Sequence, residues 1–148
     1  MATVMIEETN FVLNTASDTR GVNDDESEEL SIALQKEINK ALEQKDYSAS
    51  VGLYATKEKN GQLSIEDKFY YSLSLARVAD SDYYKAIRLL EDVVDQKDKY
   101  LEESLWLQSL LYLKINEPNK SRIKLNKLIN ISNYQITNRK AVLERIAD

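Results

Sequence analysis

An all-α fold, laid down as an array of helical hairpins, is what this sequence predicts, and three observations predict it. The first is repetition. Residues 67–94 (DKFYYSLSLARVADSDYYKAIRLLEDVV) and 102–129 (EESLWLQSLLYLKINEPNKSRIKLNKLI) are near-copies of one pattern, with Asp82-Tyr83-x-x-Ala86 opposite Glu117-Pro118-x-x-Ser121. A weaker copy lies upstream in IALQKEINKALEQKDYSASVGLY, closed by Asp46-Tyr47-x-x-Ser50. A spacing of about 35 residues, one hairpin per unit, is the mark of a helical repeat array. The second observation is scarcity of chain breakers: 148 residues hold three glycines and one proline, too few for the turns of a many-stranded sheet. The third is that the apolar residues recur at the 3.6-residue helical period rather than alternating.

Composition narrows the function classes. The chain is one domain by length. It has neither cysteine nor histidine, which removes disulfides, thiolate metal sites, the commonest general base and the commonest transition-metal ligand. No cofactor is expected. No apolar run reaches the roughly 18 residues that cross a bilayer, and the first residues lack a signal-peptide pattern; direct membrane insertion by this chain is not expected. A net charge of −5 disfavours nucleic acid as a partner. The charge is polarised along the chain. Before Ser31, eight acidic residues face only Arg20, whereas beyond Leu110 eight basic residues face only Glu117, Glu144 and Asp148.

Taken in order, residues 1–26 read as an extended arm, polar except for the cluster Phe11-Val12-Leu13. Asp24 to Glu29 then places negative charge before a helix, where exposed N–H groups favour it. The first helix is expected from about Ser27 to Lys45, with Leu30, Leu34, Ile38, Ala41 and Leu42 at helical spacing. Asp46 caps the second, which ends at Asn60-Gly61, with glycine expected to supply a left-handed terminus. Ser64 caps the third, and Asp67 three residues on completes an approximate capping box. Asp82 caps the fourth, whose stripe Tyr83, Ala86, Ile87, Leu90, Val93 and Val94 is the cleanest period in the chain. The fifth, Leu101 to Ile115, is apolar on nearly every side and so belongs at the centre. Pro118 opens the sixth in the first turn, where a missing N–H costs nothing. A seventh helix, about Tyr134 to Ile146, has the mixed face of a terminal cap. The expected hairpins are thus about 27–59, 64–96 and 101–131, with the cap at 134–146.

Leu73-Ser74 followed by Tyr83-x-x-Ala86 and Leu90, and one period later Tyr112, Ser121, Leu125 and Leu128, resemble the tetratricopeptide repeat. In that family, small residues stand where the two helices of a hairpin cross closely, as Ala86 and Ser121 would here. The resemblance spans Ser31 to about Asn133 and implies an α-solenoid of about three hairpins. The chain departs from the family pattern at several places. Arg77 stands for a large aromatic and Gln108 for leucine. Ser81 and Asn116 stand for the turn glycine, and Lys57 for a small residue in the first copy. The order of arm, Thr19-Arg20-Gly21, repeats and cap also resembles bacterial proteins whose repeats follow a membrane anchor, an anchor that would lie outside this chain.

The resemblance implies a function as well, a non-catalytic protein-interaction module in which a peptide or protein segment lies against the first helix of each hairpin. Carried over by position, that concave face presents Gln35, Asn39 and Glu43, then Lys68, Tyr71 and Leu75, then Glu103, Trp106, Leu110 and Lys114. Tyr71 and Trp106 occupy equivalent positions and, between Lys68 and Lys114, would form an aromatic platform. Two other readings stand beside it: both rings are core, or the arm covers them. Lys120, Lys124 and Lys127 share a helix face, which serves as a solvated surface or as a site for an acidic partner, including the acidic head of a second copy. The alternative to peptide binding is a structural or oligomerisation segment of a larger bacterial envelope protein, with the groove self-occupied and a homodimer as one form.

Overall fold

The computed structural model describes residues 26–147 apart from positions 62 and 98. The expected arm, with Phe11, Val12 and Leu13, lies outside the described residues. Among the described residues the fold is all-α. Seven helices follow one another: α1 (Glu26–Glu43), α2 (Tyr47–Asn60), α3 (Ile65–Arg77), α4 (Tyr83–Gln96), α5 (Leu101–Lys114), α6 (Pro118–Ile131) and α7 (Ile136–Ala147). Each packs chiefly on its neighbours in sequence, most closely within α3–α4 and α5–α6, and α7 lies on α6.

The starts of the helices follow from side chains that satisfy N–H groups with no partner inside the helix. Asp46 accepts from the Ala49 N–H at 3.2 Å and Asp82 from the Lys85 N–H at 3.0 Å. At α3 the capping box is complete: the Asp67 N–H donates to Ser64 Oγ at 3.0 Å and the Ser64 N–H donates to Asp67 Oδ2 at 2.9 Å.

The ends follow a different rule. After α1, the Lys45 N–H donates to the Leu42 carbonyl at 3.0 Å and the Asp46 N–H to the Ala41 carbonyl at 2.8 Å. After α5, the Asn116 N–H donates to the Leu113 carbonyl at 3.1 Å and the Glu117 N–H to the Tyr112 carbonyl at 2.7 Å. These are two copies of one Schellman turn, with Lys45 (φ 57°) and Asn116 (φ 64°) holding the left-handed residue that glycine usually supplies. The middle turn is two residues longer, so the left-handed residue is Asp80 (φ 57°) and not the expected Ser81. Gly61 is not left-handed either. Its φ of 173° and ψ of −162° are extended, because α2 stops at Asn60 without a left-handed turn. Likewise α7 starts at Ile136 and not Tyr134, since a left-handed Gln135 (φ 53°) separates them.

The crossings are where the repetition becomes packing. Ser50, Ala86 and Ser121 are completely buried, and so, one turn on, are Tyr54, Leu90 and Leu125. Small side chains at the first set let neighbouring backbones approach. Ser50 Oγ lies 2.6 Å from Ser74 Oγ of α3, and Ser74 Oγ donates to the Tyr70 carbonyl at 2.9 Å. The Ser50 and Ser74 hydroxyls are thereby satisfied within the core, whereas Ser121 Oγ has no hydrogen-bond partner among the described residues. Around them Phe69 stacks on Tyr100 with centroids 4.5 Å apart, and Tyr54 stacks on Tyr71 at 5.4 Å.

Gly52 sits inside α2 with nothing within 4 Å of the place a Cβ would occupy. Glycine in a helix interior costs about 0.5–1 kcal/mol relative to alanine. Gly52→Ala is therefore expected to raise the urea midpoint, with unchanged slope, by an amount corresponding to that gain.

Candidate functional site

Of the residues expected on the concave face, the first two are linked to each other. Gln35 Nε2 donates to Asn39 Oδ1 at 2.9 Å. Gln35 Oε1 in turn accepts from Lys57 Nζ at 2.6 Å, and Lys57 also pairs with Asp67 Oδ1 at 2.9 Å. The lysine that stands for a small residue in the first hairpin thus joins α1, α2 and α3. Asp67 serves this contact with one oxygen and caps α3 with the other.

Lys68 pairs with Asp92 of α4 at 2.8 Å. Beside this pair lies an open recess of about 430 Å³ lined by Glu58, Gly61, Leu63, Lys68, Leu89 and Asp92. Glu58 also pairs with Lys85 at 2.5 Å, and the Lys85 ammonium stands over the Tyr71 ring, 5.1 Å from its centroid. The Glu58 carboxylate holds the Lys85 pKa above its ordinary value despite partial burial.

Tyr71 and Trp106 are not on a surface. They are 3% and 0% exposed, and Leu75 and Leu110 are buried with them. The expected aromatic platform is corrected to core. The reason is that α3 is buried continuously from Phe69 to Ala76 and α5 from Ser104 to Leu111. Equivalent position in a repeat fixes equivalent packing, and here that packing closes on every side of both helices. Glu103 and Lys114 remain half-buried at the two ends of α5. Burial raises the Glu103 pKa, with Glu102 adding to it, and the Lys114 ammonium covers the Tyr83 ring at 4.8 Å.

The expected basic face of α6 is also divided. Lys127 is exposed and Lys120 stands over Tyr112, but Lys124 turns inward to pair with Glu91 of α4. Gln108 of α5 donates to the same Glu91 oxygen at 2.8 Å and to the Ile87 carbonyl at 3.3 Å. Burial alone would raise the Glu91 pKa, but the Lys124 ammonium and the Gln108 amide more than offset it and hold the carboxyl below its usual value. Three helices therefore meet at one carboxylate. Sequence reasoning missed this group; its one signal was Gln108 in a position that the repeat pattern fills with leucine.

No family model, curated protein or solved structure matches this chain. Among the described residues, no group of three or more acidic side chains is placed to hold a metal ion, and no helix is long and apolar enough to cross a membrane. An accessible arrangement among the described residues is the recess beside Lys68, lined by the apolar Leu63 and Leu89 and by charged side chains.

Two outcomes follow. Trp106→Ala removes a fully buried indole and is expected to cost about 3–5 kcal/mol, read as a fall in the thermal midpoint with loss of the cooperative transition at the upper end of that range. Glu91→Ala leaves the Lys124 ammonium, 9% exposed, without its carboxylate. Because Glu91 is itself 41% exposed, water screens the pair, and the expected cost is about 1–3 kcal/mol rather than that of a fully buried pair. Adding Lys124→Met should return part of this loss in urea titration. A depressed carboxyl contributes stability above its unfolded pKa and loses it as pH falls through the folded value, so the gap between wild type and Glu91→Ala should close in acid.

Proposed function

We propose that this chain is a non-catalytic protein-interaction module, a tetratricopeptide-like array of three hairpins closed by a C-terminal helix, which binds a segment of another polypeptide. The array reading is supported by the recurrence of fully buried small residues at Ser50, Ala86 and Ser121, each followed one turn later by the fully buried Tyr54, Leu90 and Leu125. Stacked hairpins that bury one another's inner faces form extended surfaces suited to polypeptide ligands.

The binding reading is carried by the recess between the end of α2, the start of α3 and the outer half of α4. Its volume is about 430 Å³. Leu63 and Leu89 offer apolar contact, while at the rim Glu58 pairs with Lys85 and Asp92 pairs with Lys68 yet stays 53% exposed, open to a second cation. The chemistry fits a segment in which a lysine or arginine stands next to an apolar residue, the cation reaching Asp92 and the apolar group covering Leu89. The concave-face residues Gln35, Asn39, Glu103 and Lys114 remain half-buried around the central helices and take no part in the recess itself.

Selection of a displayed random-peptide library on the immobilised chain tests this. Enriched peptides are expected to carry a basic residue beside an apolar one. Asp92→Arg, a substitution at an exposed position, should abolish their binding while leaving the melting midpoint within the small range of surface changes. Peptides that bind wild type and Asp92→Arg equally, or no enrichment at all, would sink the proposal.

A further inference from the structure

The array carries unlike charge at its two ends, and its exposed apolar side chains gather at the same two places. Helix α1 holds Glu26, Glu28, Glu29, Glu37 and Glu43 against Lys36 and Lys40. At the other end Lys120 and Lys127 of α6 are exposed, Lys120 beside Glu117, and Arg122 is half-buried, while Lys124 is turned inward to Glu91; α7 adds the exposed Lys140 against Glu144. The intervening helices are close to balanced. Six large apolar side chains are exposed among the described residues, and five of them lie at the ends: Leu30 (71% exposed) and Ile32 on α1, Ile123 (54%), Ile129 and Ile131 on α6. A terminal element of a stacked array ordinarily has a polar outer face, because no further unit follows to cover it. These ends are apolar and charged instead.

From this coincidence we propose that the chain associates end to end with a second copy of itself, the outer face of α1 in one copy seating on the α6–α7 end of the next. Like ends do not suit each other. Two α1 helices would set glutamates against glutamates, and two α6 helices lysines against lysines, whereas the unlike pairing sets carboxylates toward cations and lets Ile32, on the side of α1 away from the buried Ile38 and Ala41, meet Ile123 and Ile131. An α1 of 18 residues is about 27 Å long, longer than the 14 residues of α6, so one helix spans the other. The contact is heterologous, joining different surfaces of the two copies. It uses none of the residues of the recess and stands or falls separately from peptide binding.

Charge exchange on the full chain tests it. Glu29, Glu37, Lys127 and Lys140 are exposed, so Glu29→Lys with Glu37→Lys reverses one end, and Lys127→Glu with Lys140→Glu reverses the other, with melting midpoints confirming that both variants fold. Sedimentation velocity over a concentration series is expected to show wild-type mass rising with concentration at low salt and less so at high salt, as screened attraction requires. Each reversed variant alone should associate at least about tenfold more weakly, a loss of about 1.4 kcal/mol, and an equimolar mixture of the two should recover association. Wild type that stays monomeric across the series overturns the proposal. So does association that survives both reversals, or a mixture no heavier than its separate components.

Discussion

Everything in this molecule is arranged around two helices whose central two turns have no side facing water. From Ser104 to Leu111 every residue of α5 is buried, and from Phe69 to Ala76 every residue of α3. A helix in that position must satisfy its polar letters internally or not carry them. Ser72 Oγ donates to the Lys68 carbonyl at 2.6 Å, and Ser109 Oγ to the Trp106 carbonyl at 2.6 Å, so these hydroxyls fold back on their own helices. Gln108 is too long for that and reaches across to Glu91. Ser104 Oγ and Gln108 Oε1 are left without a hydrogen-bond partner among the described residues. Their burial lowers the stability of the centre by the desolvation of each group.

The connections between helices show how a repeat is kept while its signature residues change. The turns at Lys45 and Asn116 have the same pair of backbone hydrogen bonds, although one residue is a lysine and the other an asparagine. A left-handed residue other than glycine costs on the order of 1 kcal/mol, which the paired bonds and the helix that follows offset. The hydrogen-bonding geometry, more than the side chain, is what recurs. At the middle turn two more residues are accommodated by moving the left-handed position to Asp80, and the crossing at Ala86 stays where the period requires it.

The helices themselves were legible because their signals are local. Asp46, Ser64, Asp82 and Pro118 mark starts whose chemistry does not depend on the rest of the fold. The centrality of α5 could be read from its apolar residues on every side. The site was less legible. The repeat pattern matched Tyr71 with Trp106, yet such a match says nothing about exposure, which depends on how many neighbours close over a helix. Three serines among Ser72, Ser74 and Ser109 disguised buried surface as polar surface. Lys124 looked like solvated charge, and Lys57 like a bare departure from the repeat pattern, because spacing places a residue on a face without saying what lies opposite. Glu91 and Asp67 lie opposite them, and neither pairing could be read before the helices were packed.

Packing between sequence neighbours also shapes how the chain moves and how it reaches its native state. Most side chains meet partners a few dozen residues away at most, so little loop entropy is spent before contacts form, and such topologies fold quickly. The same arrangement loosens the ends. Helix α7 rests chiefly on α6, tied there by Val142 and by the Arg122 guanidinium, which donates to the Ile146 carbonyl at 3.1 Å. It has the fewest bonds to break and can open without disturbing α3 or α5. Hydrogen exchange in the native protein should therefore be graded, fastest in α7 and slowest in the buried middles of α3 and α5.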